Sequence, residues 1–338
     1  MGRYLNPGME SFEKSVNSEI YVDKTGLVGY TNRVMNTVQG YVCVSRPRRF
    51  GKSMAANMLT AYYSRGCDSR EIFSKFEISE SPDFEKYRNK YNTIFLNMQE
   101  FLSRSDSVEA LVDRVKKLVL RDLKREYPDV DYFDDTDLVE SMQDIYETEK
   151  CPFVVIIDEW DCIFREFRQN KEAQEKYLDF LRDLLKDKAC IHLAYMTGIL
   201  PIKKYGTHSA LNMFDEFSMI NPGPLAPYVG FTEVEVEYLC HKYRMDMEEV
   251  KAWYDGYSFS MAASVYSPRS VVNSMLFGKI ENYWNQTETF EALQVYIDMN
   301  FDGLKDDVLS MIAGERIPVN TGSFTNDMTT FRTEDDVL

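Results

Sequence analysis

The chain has 338 residues, 44% of them apolar and 14% aromatic, which suits one large α/β unit with a smaller appendage. Its 55 acidic against 39 basic side chains give a formal net charge of -16, which disfavours a general affinity for nucleic acid or anionic membrane. Six cysteines without a CxxC pair, only three histidines and no apolar leader or spanning segment argue against a zinc centre, secretion or a membrane role, so a cytoplasmic protein with buried thiols is expected.

In chain order, residues 20–40 predict a short extended entry and then a helix. The β-branched run Tyr41 to Ser45, bounded by Gly40 and Pro47, predicts a buried strand that leads directly into RPRRFGKS. Beyond Lys52, the spacing of Met54, Met58, Ala61 and Tyr62 predicts a helix with one buried face. A strand at Thr93 to Asn97 precedes an amphipathic helix with Val108, Leu111, Val112, Val115, Leu118, Val119 and Leu123 on one stripe. Another helix is expected before Pro152. The run Phe153 to Ile157 is uniformly apolar, as a central parallel strand covered on both faces would be, and it ends abruptly at Asp158 and Glu159. Tyr177, Phe180, Leu181 and Leu184 mark a crossover helix, Ile191 to Met196 the next strand ending at Thr197 and Gly198, and a short fifth strand is expected between Glu216 and Ile220. This alternation implies a three-layer α/β sandwich. The stretch Asn221 to Pro227 breaks it, and the signals beyond are helical: Thr232 with Glu235 spells a capping box, and Ser267-Pro268 opens a further helix.

RPRRFGKS carries the chemistry. A nucleotide phosphate needs N–H donors converging at a helix N-terminus; Gly51 permits close backbone approach, Lys52 supplies an ammonium for the β and γ phosphates, and Ser53 offers a hydroxyl to magnesium. The full Walker A pattern has glycine five residues before Gly51, where this chain has Arg46. Bulky cations at Arg46, Arg48 and Arg49 then stand where they can themselves contact phosphate. The candidate nucleotide-binding segment is Arg46, Pro47, Arg48, Arg49, Phe50, Gly51, Lys52, Ser53 and Met54, against the alternative of a basic surface turn. Asp158 fits the strand-end carboxylate that holds Mg2+, and Glu159 fits the general base that orients or deprotonates water, against the alternative of two solvated acids.

The ordered segments YVDKTGLV, RPRRFGKS, FVVIIDEWD, YMTGILPIKK, WYDGYSF and VYSPRSV resemble a bacterial and archaeal AAA-ATPase-like family. Its members commonly carry a C-terminal PD-(D/E)XK nuclease-like domain, and the altered phosphate loop is usual among them. The resemblance implies an additional-strand P-loop NTPase core with a parallel sheet (residues 1–222), followed by a smaller, mostly helical lid or winged-helix-like region (residues 223–338). It implies ATP and Mg2+ as ligands. Thr197 falls where a polar sensor touches the γ-phosphate, although its position equally suits a helix cap before Ile199. Asp23, Lys24 and Thr25 resemble the segment near the adenine, which ordinary turn formation also explains. Arg269 is a phosphate contact or a surface arginine, and Arg165, Arg168 and Arg182 are arginine-finger candidates or salt-bridged side chains. The chain is expected to stop short of the nuclease-like domain, with Asp335-Asp336 a surface acid pair.

The expected function is Mg-dependent ATP hydrolysis (catalytic: Glu159, Lys52, Thr197; metal: Ser53, Asp158) coupled to movement of the C-terminal region. The alternatives are an ATP-gated switch or assembly scaffold with slow turnover, and a degenerate P-loop interaction module. A homo-oligomer or protein partner is compatible with either; direct nucleic-acid binding is not favoured by the charge.

Overall fold

The computed structural model describes residues 2–167, 170–202, 211–219, 221–259, 262–283, 304–312 and 317–318. Its centre is a parallel sheet of β1 (Tyr41–Ser45), β2 (Asn92–Asn97), β3 (Phe153–Asp158), β4 (Ile191–Gly198) and β5 (Asp215–Phe217), in the order β2-β3-β4-β1-β5. β4 is inserted between β1 and β3, so the strand before Lys52 and the strand ending at Asp158 are one strand apart, the additional-strand arrangement. The fifth strand begins at Asp215 and ends at Phe217; Ile220 lies outside the described residues.

Because side chains alternate across a strand, the apolar β3 run feeds two separate cores. Phe153, Val155 and Ile157 join one cluster with buried side chains of α6 (Met98–Leu102), α7 (Val108–Glu126), α8 (Leu138–Glu149), α9 (Cys162–Glu166) and α10 (Lys171–Leu185). Val154 and Ile156 join the other, with α1 (Glu10–Val16), α2 (Gly26–Val34), α3 (Lys52–Tyr63) and the short α4 (Arg70–Phe73) and α5 (Phe84–Tyr87). Three layers result. Along α7 the predicted stripe buries Val108, Leu111, Val115, Val119 and Leu123, each contributing about 1.5–3 kcal/mol of transfer free energy, while Val112 and Leu118 flank it half-buried. On α3 the expected face needs one correction: Met58, Ala61 and Tyr62 are buried, but Met54 is 42% exposed.

Beyond residue 222 the structure adds a sheet that helical signals did not anticipate. A 3-10 turn (Gly223–Tyr228) leads into β6 (Phe231–Thr232), α11 (Glu233–Tyr243), α12 (Met247–Tyr254), β7 (Asp255–Phe259), β8 (Ala262–Tyr266) and α13 (Pro268–Phe277). The strands pair antiparallel in the order β6-β8-β7, and Val236, Leu239, Val250, Tyr254, Tyr266 and Val271 form a third core. The capping box of Thr232 and Glu235 is present, and Pro268 occupies the first turn of α13. No helix among the described residues is long and apolar enough to cross a membrane. The six cysteines are free thiols, four of them buried and Cys67 and Cys151 half-buried.

Arg46 is the clearest departure from expectation. Its N–H donates to the Gly198 carbonyl at 3.1 Å, extending the β1–β4 pairing by one residue, and its φ is not in the left-handed region, so no glycine is required there. The side chain is 1% exposed and turns away from the loop: Nη1 donates to the carbonyls of Ser45 (2.9 Å) and Phe217 (2.8 Å), tying β1 to β5. Burial pulls the guanidinium down to about 10. Arg46 therefore serves as a structural anchor between β1 and β5. Arg46→Ala removes both bonds and opens a cavity, so it lowers folding stability by about 2–5 kcal/mol. The check is a lower urea midpoint at unchanged slope; a phosphate-contact role would instead leave the midpoint in place and weaken nucleotide binding alone.

Candidate active site

Parallel register brings four strand ends to one edge of the sheet. Asn97 of β2 pairs with Asp158 of β3, Ile157 with Met196 of β4, and Val44 of β1 with Thr197. At this edge a cleft of about 1070 Å³ opens, lined by the loop residues Arg48, Arg49, Phe50, Gly51, Lys52, Ser53 and Met54 together with Asn97, Gln99, Glu159 and Arg165. Arg46 and Pro47, also expected here, do not line it.

The phosphate loop turns on two left-handed residues, Arg49 (φ 69) and Gly51 (φ 90). A side chain at Gly51 would meet nothing within 4 Å, so the constraint there is backbone conformation rather than space. Gly51 is the N-cap of α3, which begins at Lys52 with its N-terminus at the cleft. The Lys52 ammonium folds back over the loop and donates to the carbonyls of Arg46 and Pro47, both at 2.9 Å. Burial lowers its pKa, opposed by Glu159, Asp161 and Asp158, which places this cation within the field of all three acids.

On the acidic side, Asp158 is 1% exposed at the end of an otherwise apolar strand. Its carboxylate accepts from the Thr197 hydroxyl and from Asn97 Nδ2 at 3.3 Å, and Ser53 also hydrogen-bonds to it. Burial raises its pKa, and the Thr197 and Ser53 hydroxyls counter that rise. Glu159, at φ 57, turns out of the strand into the cleft, where its carboxylate pairs with Arg165. Ser53 and Asp158 form the hard-oxygen donor set that suits Mg2+, which takes one or two protein oxygens and the rest from phosphate and water. Thr197 is fully buried against Asp158 rather than lining the cleft, and Ile199 is not capped by it.

That cap comes from Asp161, a residue the DEWD motif contained but chain position alone did not explain. Asp161 is fully buried, and its Oδ2 accepts from Ile199 N (3.1 Å) and Leu200 N (3.0 Å), fixing the turn after β4. Arg165 is spoken for within the same chain, by Glu159 and, at 3.3 Å, by Asp161. Arg182 pairs with Asp179 at the surface and is absent from the cleft; Arg168 and Asp335-Asp336 lie outside the described residues. Arg269, exposed at the start of α13, lines the cleft. Lys24 lines it too, bound to Glu235, whereas Asp23 accepts from Thr25 N and Glu77 N, both at 2.8 Å. Asn97, which the predicted strand ended on, was the missed polar contributor; its signal was its place at a strand's carboxyl end.

The model of the family described as "Predicted AAA-ATPase" matches residues 6–207. An uncharacterized protein from the vnfD 5' region of Azotobacter chroococcum mcd 1 is 25% identical over 298 residues, covering 83% of this chain and 54% of its own length. The chain thus spans about half the length of that relative. Among solved structures, the Aeropyrum pernix ORC2 protein (ADPNP–ADP complexes) is similar at a TM-score of 0.32 and 12% identity, over 67% of this chain and 54% of that one. With the matched segment, residues 6–207, covering more than half of its length, the chain belongs to the predicted AAA-ATPase family.

Proposed function

We propose that the chain binds Mg-ATP in this cleft and hydrolyses it, and that loss of the γ-phosphate shifts the C-terminal region (residues 223–338) against the core (residues 1–222). The observation that carries this reading is the meeting of Lys52, Ser53 and Glu159 in a single cleft, with the buried Asp158 carboxylate directly behind it, hydrogen-bonded to Ser53 and within the field of Lys52. Backbone N–H groups at the start of α3 and the Lys52 ammonium bind the β and γ phosphates. Ser53 and Asp158 would hold magnesium, which would supply neutralisation of charge on the phosphate oxygens. Glu159 takes a proton from the attacking water as its oxygen bonds to the γ-phosphorus; the bond to the β–γ bridging oxygen breaks, and ADP leaves with that electron pair. Thr197 acts on Asp158, holding the carboxylate in one orientation. Arg269, which also lines the cleft, meets the phosphates in this reading. A cytoplasmic setting belongs to the same reading, in keeping with six unpaired cysteines.

A second reading, the slow switch, is favoured by one feature: both reactive groups already have partners. Lys52 is bound to two loop carbonyls and Glu159 to Arg165. Each must exchange its partner before the chemistry, and that exchange can limit turnover.

Two variants test the site. Lys52→Ala weakens Mg-ATP binding by about 10- to 150-fold in a calorimetric titration, the range for losing a charged hydrogen bond; equal binding by parent and variant would end the nucleotide reading. Glu159→Gln keeps affinity but lowers kcat by about 100- to 10,000-fold. Hydrolysis at the parental rate would remove Glu159 from the role of base. Single-turnover kinetics separates the two readings: phosphate release much slower than cleavage, or a lag before cleavage, identifies the switch.

A further inference from the structure

We propose that Lys24 is a positioning residue, whose ion pair with Glu235 fixes the C-terminal helical region over the nucleotide cleft and thereby sets nucleotide affinity. The inference rests on the ATP-binding reading and adds to it the joint between the two parts of the chain.

Lys24 stands just before α2, in the N-terminal segment. Its ammonium reaches Glu235 in the first turn of α11, at 2.6 Å to Oε1 and 2.5 Å to Oε2, and the Pro227 carbonyl at 2.7 Å. It also lies 5.7 Å from the centre of the Phe231 ring. All three donor directions of the ammonium therefore point into the C-terminal region. Glu235 is doubly committed: its Oε2 also accepts from Thr232 N at 2.7 Å, closing the capping box. The same carboxylate thus starts α11 and receives the core's cation.

The contact is not a surface pair. The side chains of Lys24 and Glu235 are 14% and 24% exposed, so solvent screens them far less than a bridge on an open helix face. A second contact keeps the same alignment: a Cβ on Gly26 would stand 2.4 Å from the Tyr228 ring, so the ring seats where only glycine allows it. Lys24, Tyr228 and Phe231 line the cleft together with Arg269. Cleft residues from the N-terminal segment and from the C-terminal region are therefore held together by this joint before any ligand arrives, and a preorganised site costs less ordering on binding. Nothing places Lys24 among the reacting groups, so the effect belongs on affinity rather than on the chemical step.

The test is a double-mutant cycle of Lys24→Met, Glu235→Gln and the pair together, with Lys24→Arg as the conservative control. Glu235→Gln keeps an oxygen for the capping box, so α11 retains its start. Each single change raises KM for Mg-ATP by about tenfold with kcat within about twofold, the double is no worse than the worse single, and Lys24→Arg restores KM. Unchanged KM, additive effects or a loss confined to kcat overturns the proposal. Hydrogen exchange at residues 224–236, measured without nucleotide, separates the joint from the ATPase reading. Faster exchange in both singles supports the joint even in a chain that fails to bind ATP; unaltered exchange refutes it even in one that turns ATP over.

Discussion

A single buried carboxylate organises the reactive edge of this protein. Asp158 ends a strand whose preceding five residues are all fully buried, so its charge sits where water cannot solvate it. Such a group persists only if other polar groups surround it, and parallel register supplies them: Asn97 arrives from β2 and Thr197 from β4, while Ser53 comes from the first turn of the helix after β1. The sheet order is therefore a condition of this arrangement. Without β4 between β1 and β3, the Thr197 hydroxyl would not stand beside Asp158, and burial would drive the carboxylate further toward its neutral form.

The altered phosphate loop follows from the same geometry. A glycine at the first loop position serves backbone freedom, yet Arg46 continues the strand pairing with β4 and needs none. An arginine is tolerated because its side chain leaves the loop altogether and bridges Ser45 to Phe217, carbonyls at the end of the edge pair β1–β5. The strand β5 is three residues long, too short to hold its place by ladder bonds alone. The residue that breaks the Walker pattern thus secures the edge of the sheet, and the left-handed turns needed to shape the loop fall later, at Arg49 and Gly51.

Much of this arrangement was legible in the chain because it depends on period and local chemistry. The uniformly apolar 153–157 run reads as a central parallel strand, GKS before an amphipathic helix reads as an anion site, and Thr232 with Glu235 reads as a cap. Side-chain destinations were less accessible. Arg46, Arg48 and Arg49 are alike in sequence, and only tertiary structure decides that the first turns inward while the other two reach the cleft. Asp161 and Arg165 act on groups 38 and 6 residues away, respectively, across a turn that no periodicity encodes. The C-terminal sheet escaped notice because β6 has two residues and β7 and β8 are rich in Asp, Gly, Ser and Ala, which carry little strand propensity.

The phosphate loop also has a mechanical tie to the region beyond residue 222. Phe50, between the loop's two left-handed turns, is 2% exposed and packs in one core with Leu225, Val229 and Val265. Gly230, at φ 116, comes so near that a Cβ there would stand 3.3 Å from the Phe50 ring and 2.4 Å from Val265. The loop backbone and the strand β8 of the C-terminal sheet thus share one packed contact. Close-packed interiors resist gradual deformation, so a shift of the loop around a phosphate cannot be absorbed locally at Phe50. It must be passed to β8 and the helices that lean on it, or opposed by them. No long relay is needed to join the two: one aromatic side chain spans the distance between the loop and the C-terminal sheet.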